Sequence, residues 1–129
     1  MRLLLDTHVL LWWLRDDPLL RPQARALIAD SDGEVLFSVV SCWEASVEHR
    51  VGKMEIRGSD LFDLAVEERF FPIGIEAAHL AELDRLPRIA GHGDPFDHLL
   101  LAQAKRENAA LMTHDREMTR YGVNCVGVR

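Results

Sequence analysis

Four acidic residues of this chain stand where a carboxylate could do chemistry rather than merely face water. Asp6 follows the unbroken apolar run Leu3-Leu4-Leu5, and Asp115 follows Ala109-Ala110-Leu111-Met112-Thr113-His114. Glu44 comes shortly after Val35-Leu36-Phe37-Ser38-Val39-Val40, and Asp97 closes the segment Asp94-Pro95-Phe96-Asp97. Bringing anions together costs free energy unless a cation compensates them. Oxygen-only donors select hard cations, and Mg²⁺ or Mn²⁺ held by a few carboxylates plus water suits phosphate chemistry. Such ions activate water and stabilise the departing oxygen of a phosphodiester. The histidines have no zinc-binding spacing such as HExxH, which argues against a zinc site. His92, His98 and His114 fall near the acids in sequence and read as surface histidines rather than as substrate contacts.

Each acid also has a purely structural reading. Asp6 or Thr7 can cap the helix that follows. Ser41-x-x-Glu44 has the spacing of a capping box, with Ser41 as N-cap and Glu44 in the first helical turn. Asp94 as N-cap, Pro95 at the first helical position and Asp97 two residues on make a nearly ideal helix start.

The elements that must position these residues follow from the apolar pattern. Leu3-Leu4-Leu5 has no polar alternation, which predicts a strand buried on both faces in a parallel sheet. His8 to Leu14 reads as a helix stopped by Asp16-Asp17-Pro18, and Leu19 to Ala29 as a second helix with Leu20, Ala24, Leu27 and Ile28 on one face. Asp30-Ser31-Asp32-Gly33 is a turn cluster, Glu34 to Val40 a second strand, and Cys42 onward a helix ended by Gly52. Gly58-Ser59-Asp60 starts another helix carrying Leu61, Leu64, Ala65 and Glu68. Phe70 to Ile75 reads as a short strand whose Pro72 suits an edge. Glu76 to Leu86 is helical with Ala77, Leu80, Ala81 and Leu83 apolar. Phe96 to about Glu107 forms the last helix, Ala109 to Thr113 a fourth strand, and Asn124 to Val128 a fifth.

This β-α-α-β-α-α-β-α-α-β-β order predicts a parallel α/β sandwich in one domain spanning residues 1–129. Right-handed crossovers place the carboxyl ends of all parallel strands on one edge, where ligands of open α/β sheets collect. The four acids are therefore expected to point toward one place.

Composition bounds the rest. With 129 residues, 48% hydrophobic and 28% charged, the chain is long enough to bury a core and is not disordered. No apolar run reaches the roughly 20 residues of a membrane span, and Asp6 interrupts the N-terminal apolar segment, so a cytoplasmic protein is expected. Cys42 and Cys125 are too few for a disulfide framework and read as small apolar residues. A net charge of −6 argues against nonspecific nucleic-acid binding through bulk charge, although a cation-holding active site must itself be acidic. A basic partner would find this surface attractive.

Four stretches together carry a resemblance: Leu4-Leu5-Asp6-Thr7-His8; Ser38 to Glu44 with Gly52-Lys53-Met54; His92 to Ala104; and Met112-Thr113-His114-Asp115. In order and spacing the chain resembles a PIN-domain ribonuclease of the VapC type, the toxin of a toxin–antitoxin pair. The resemblance implies a PIN-like three-layer α/β/α sandwich with a mainly parallel sheet of about five strands. It implies a Mg²⁺- or Mn²⁺-dependent endoribonuclease acting on RNA, with Asp6, Glu44, Asp97 and Asp115 as the acidic site. It also implies a homodimer and a cognate antitoxin that blocks the site. The Trp12-Trp13 pair suggests part of a groove for an antitoxin helix with basic residues, one of the two tryptophans being core. The chain departs from the pattern at Glu48, Gly93 and His98, where relatives often carry basic residues. A phosphate-receiver domain would need paired acids where Asp6-Thr7 stands and a lysine near Thr113. A haloacid-dehalogenase-like phosphatase would need an aspartate in place of His8. A catalytically silent binding module of the same fold is the remaining alternative.

Overall fold

Leu3, Leu4 and Leu5 form β1 (Leu3–Leu5), and the sheet is built outward from it in a computed structural model that describes residues 2–31 and 34–128. β2 (Val35–Ser38) pairs with one side of β1 and β4 (Ala110–Thr113) with the other. β3 (Phe71–Ile73) lies outside β2 and β5 (Cys125–Gly127) outside β4, giving the order β3-β2-β1-β4-β5 with every pairing parallel. Pro72, which cannot donate to a ladder, accordingly sits on an edge strand. The expected five-stranded parallel sheet is the one observed.

The leucine run is buried on both faces because the sheet is covered on both. Leu3 and Leu5 join Phe37, Ala110 and Met112 against α1 (Thr7–Arg15), α2 (Pro22–Ala29) and α4 (Gly58–Glu67). Leu4 joins Leu36 and Leu111 on the other face, beneath α6 (Pro95–Arg106) and the 3₁₀ helix Arg116–Tyr121. α3 (Val39–Arg50) contributes to both, with Val40 on the second face and Cys42 and Ala45 on the first. Each fully buried leucine contributes about 1.5–3 kcal/mol of hydrophobic stabilisation. α3 and α4 pack so closely that a Cβ on Gly58 would stand 2.0 Å from the Cys42 carbonyl oxygen.

Several boundaries differ from expectation. β2 ends at Ser38, whose hydroxyl accepts from Val40 N–H at 3.0 Å, so Ser38 rather than Ser41 is the N-cap of α3. The β-branched pair Val39-Val40 prolongs the apolar run and hides that boundary. α2 starts only at Pro22, and its Leu27 is exposed while Leu20, Ala24 and Ile28 are buried. In α5 (Ala77–Arg85) the buried residue is His79 rather than the expected Leu80. Its ring accepts from Glu76 N–H at 3.0 Å and donates to Glu107 Oε2 at 3.0 Å, which completes a capping box and satisfies a buried imidazole. Asp32 and Gly33 of the expected turn lie outside the described residues. Cys42 is buried and Cys125 half-buried, both free, and burial pushes both thiols up to about 11. No described helix is long and apolar enough to cross a membrane.

Candidate functional site

The two aspartates that end sheet strands divide their oxygens between two tasks. Asp6 Oδ1 accepts from Val9 N–H at 2.9 Å and caps α1, while Oδ2 faces the His114 ring, 3.6 Å from Nδ1. Asp115 Oδ1 accepts from Glu117 N–H at 2.9 Å and caps the 3₁₀ helix, while Oδ2 lies 3.3 Å from His92 Nε2. Asp6 therefore caps the helix with one oxygen and leaves the other facing the His114 ring. Strand-end geometry explains this: the carboxylate stands at a helix N-terminus, with free N–H groups on one side and the open sheet edge on the other.

Asp94 Oδ1 accepts from Phe96 N–H at 2.9 Å and from Asp97 N–H at 3.4 Å, as its position before Pro95 requires. This turn presents Asp97 toward the same edge. Glu44 arrives differently from expectation: with Ser38 as cap it lies in the second turn of α3, not the first, and forms no capping box. It points inward instead. Thr7 Oγ1 donates to Glu44 Oε1 at 2.6 Å and lies 2.9 Å from Ser41 Oγ.

Asp6, Glu44, Asp97 and Asp115 line one cavity of about 210 Å³, together with Asp94, Thr7, His8 and His114. All four expected acids are thus brought together, and no lysine or arginine is among the described lining residues. Asp6 is 4% exposed and Glu44 7%. Burial pushes the Glu44 carboxyl up to about 7, with Asp94, Asp97 and Glu48 adding repulsion and the Thr7 hydrogen bond opposing it. Burial also pushes Asp97 up to about 7, assisted by Asp94, Asp6 and Asp115 and opposed by His114. Glu48 thus adds to the anionic crowding around Glu44.

Such a crowded set of oxygen donors, with no lysine or arginine among the described lining, is the chemistry that a hard divalent cation satisfies. The residues present fit one.

The three histidines near the acids are not surface residues, contrary to expectation. His92 Nε2 stands 3.3 Å from Asp115 Oδ2 and 3.5 Å from Asp97 Oδ2, while Nδ1 lies 2.7 Å from the Tyr121 hydroxyl. His98 Nε2 lies 3.0 Å from the His92 carbonyl oxygen and 3.1 Å from the same hydroxyl. His114 packs edge-on to His8 and Trp12, with ring centroids 5.1 and 5.2 Å apart. Tyr121 carries no signal in the sequence, because nothing in Arg116–Tyr121 announces a 3₁₀ helix or its direction. Of the tryptophan pair, Trp12 flanks this ring cluster. Trp13 turns away, packing on Phe70 and donating to Glu68 Oε1 at 2.6 Å.

The fold is shared with several solved structures. VapBC2 of Rickettsia felis, solved with a DNA fragment of its promoter, aligns with a TM-score of 0.75 at 16% identity over 100% of both chains. DNA-bound VapBC of Salmonella typhimurium aligns with a TM-score of 0.73 at 12% identity, covering 100% of this chain and 99% of that one. VapBC-1 of nontypeable Haemophilus influenzae aligns with a TM-score of 0.69 at 13% identity over 98% of each. A comparison of the sequence with curated proteins found no match. The family model for the PIN domain matches residues 3–124, from the leucine strand through all four converging acids, and the chain belongs to that family.

Proposed function

We propose that this protein is a divalent-metal-dependent endoribonuclease that hydrolyses RNA phosphodiester bonds as the toxin of a toxin–antitoxin pair. The observation that carries this reading is the convergence of Asp6, Glu44, Asp97 and Asp115 on one cavity with no basic residue among its described lining. A bound Mg²⁺ or Mn²⁺ supplies water activation and neutralises charge on the leaving oxygen. Asp6, Asp97, Asp115 and Glu44 are the residues that would hold it. Thr7 fixes the Glu44 carboxylate, Asp94 fixes the turn that presents Asp97, and the backbone N–H groups of Val9 and Glu117 fix the aspartates at the strand ends. Glu44 and Asp97, both pushed up to about 7, are partly protonated near neutral pH, so holding a metal would require them to give up protons. The rings of His8, Trp12 and His114 beside Asp6 offer a stacking surface for an unpaired base, which favours single-stranded RNA.

Two partners belong to the same reading. The solved relatives are complexes of VapB with VapC, and an acidic cavity flanked by Trp12 suits an antitoxin segment that inserts a lysine or arginine. Val39, Trp43 and Val47 repeat at helical spacing along the outer face of α3, Val51 continues the row at its C-cap, and all four are exposed, which suits a second copy of the chain.

Incubation of the purified protein with structured and unstructured RNAs, in Mg²⁺ or Mn²⁺ and then in excess EDTA, tests the activity. Metal-dependent cleavage that Asp97→Asn abolishes is the expected result. Cleavage that survives EDTA would overturn the mechanism.

A further inference from the structure

The acids account for an oxygen site, yet a nitrogen stands among them. His92 is nearly buried, its side chain 11% exposed. Its position is fixed by a tight turn in which Gly91 takes a φ of +82° and His92 N–H donates to the Ile89 carbonyl at 3.2 Å. The ring directs Nε2 between Asp97 and Asp115, and the three donor atoms lie within 4.8 Å of one another.

The distances of 3.5 and 3.3 Å from Nε2 to the two carboxylates exceed the roughly 2.7–2.9 Å of a charge-assisted hydrogen bond. They lie nearer the edge of an octahedron: donors at about 2.1 Å from one ion stand about 3.0 Å apart when adjacent. The far side of the ring is arranged to release Nε2 as a ligand. Tyr121 Oη can donate to Nδ1 at 2.7 Å when Nε2 carries the proton. It can equally accept from Nδ1–H, turning its own proton to the His92 carbonyl oxygen at 3.3 Å. Both neutral tautomers are therefore satisfied, and the second leaves the Nε2 lone pair facing the carboxylates. A hydrogen bond to the distal nitrogen that fixes the tautomer is the usual support of a metal-bound histidine.

We propose that His92 Nε2 is a ligand of the metal ion held by Asp97 and Asp115, with Tyr121 as the positioning residue that holds the ring and accepts from Nδ1–H when Nε2 is free to ligate. This rests on the metal-dependent reading above and sharpens it. A mixed nitrogen–oxygen donor set favours first-row transition ions such as Mn²⁺ over Mg²⁺, which takes oxygen donors almost exclusively.

The test uses the full chain, stripped with EDTA and dialysed, with Mn²⁺ and Mg²⁺ as probes. Pulsed electron paramagnetic resonance of the Mn²⁺ form reads coupling to an imidazole ¹⁴N, and titration calorimetry reads both affinities. Wild type should show the nitrogen coupling. His92→Gln, which offers an amide oxygen in place of the ring, should lose it, with Mn²⁺ affinity falling about tenfold or more and Mg²⁺ affinity falling less. Tyr121→Phe should keep the coupling and weaken Mn²⁺ by less than His92→Gln does. Asp97→Asn should weaken both ions alike. Absence of nitrogen coupling in wild type, or coupling and Mn²⁺ affinity unchanged in His92→Gln, would overturn the assignment. If wild type meanwhile binds Mn²⁺ and cuts RNA, only the role of His92 is lost. A wild type that binds neither ion sinks the metal-dependent reading together with it.

Discussion

Thr7 and Glu44 are joined by a 2.6 Å hydrogen bond that ties the first residue of α1 to the second turn of α3 across 37 positions of sequence. Both residues are buried, and the bond is the main influence opposing the upward push on the Glu44 carboxyl. The Thr7 hydroxyl thus draws this buried carboxyl toward its ionised form, against the larger push of burial.

Thr7→Val should therefore do two separable things. Losing the hydrogen bond should cost about 1–3 kcal/mol of stability, read from urea unfolding near neutral pH. It should also raise Glu44 further, so that the pH at which metal binding reaches half its maximum moves upward. Thr7→Ser keeps the hydroxyl and should restore both. A Thr7→Val protein with wild-type stability and an unmoved pH profile would show that the bond carries neither role.

Asp94 combines a cap with a charge, and two substitutions separate them. Asp94→Ala should cost about 0.5–2 kcal/mol through loss of the N-cap of α6. Asp94→Asn still accepts from Phe96 N–H, so its stability should stay close to wild type. Because Asp94 is the largest electrostatic contributor to the raised Asp97, Asp94→Asn should also lower the pH needed for metal binding. Equal destabilisation by Ala and Asn would mean that the charge rather than the cap is what α6 needs.

The exposed stripe on α3 gives a prediction about assembly. Trp43 is 52% exposed and stacks edge-on to Phe96 at 4.7 Å, at the centre of the row Val39, Trp43, Val47 and Val51. Val47→Asp should leave the monomer folded, since the position is already exposed, and should abolish self-association in light scattering. A wild type that remains monomeric at high concentration would remove the homodimer.

How much of this was legible in the sequence follows from where the deciding interactions are local. Leu3-Leu4-Leu5 read as a doubly covered strand and Asp94-Pro95-Phe96-Asp97 as a helix start, because the physics of each lies within a few residues. The edge on which the four acids meet followed from crossover handedness alone. What escaped was tertiary. The true start of α3 depends on Ser38, whose hydroxyl both caps Val40 and donates to Gln103 Oε1 at 2.5 Å, a partner 65 residues away. His92 looked like a loop histidine because its partners, Asp115 and Tyr121, come from the segment after β4. His79 broke the apolar face of α5 because its burial is satisfied by Glu107.

The crowding of the acids should be measurable without any substrate. Glu44 rises from 4.5 to about 7 and Asp97 from 3.8 to about 7 on folding. Between those limits the native state keeps protons that the unfolded chain has lost, so the slope of stability against pH is negative. Stability of the metal-free protein should fall as pH rises through this window, by about 1.4 kcal/mol per unit for each group, and level off above about 7. Asp97→Asn removes one of the two groups and should flatten the slope while leaving the protein more stable than wild type at alkaline pH. Mg²⁺ should reverse the loss, because it binds the ionised carboxylates: at 100 times its dissociation constant it adds about 2.7 kcal/mol. At a fixed subsaturating Mg²⁺ concentration the gain should be larger at about pH 8 than at about pH 6, since fewer protons must leave. Asp97→Asn should gain much less at either pH. Denaturant unfolding of both proteins across this range, with EDTA and with Mg²⁺, reads all of these. If wild type and Asp97→Asn show parallel pH profiles and the same response to Mg²⁺, Asp97 is not a ligand, and the crowding that motivates the metal site is absent.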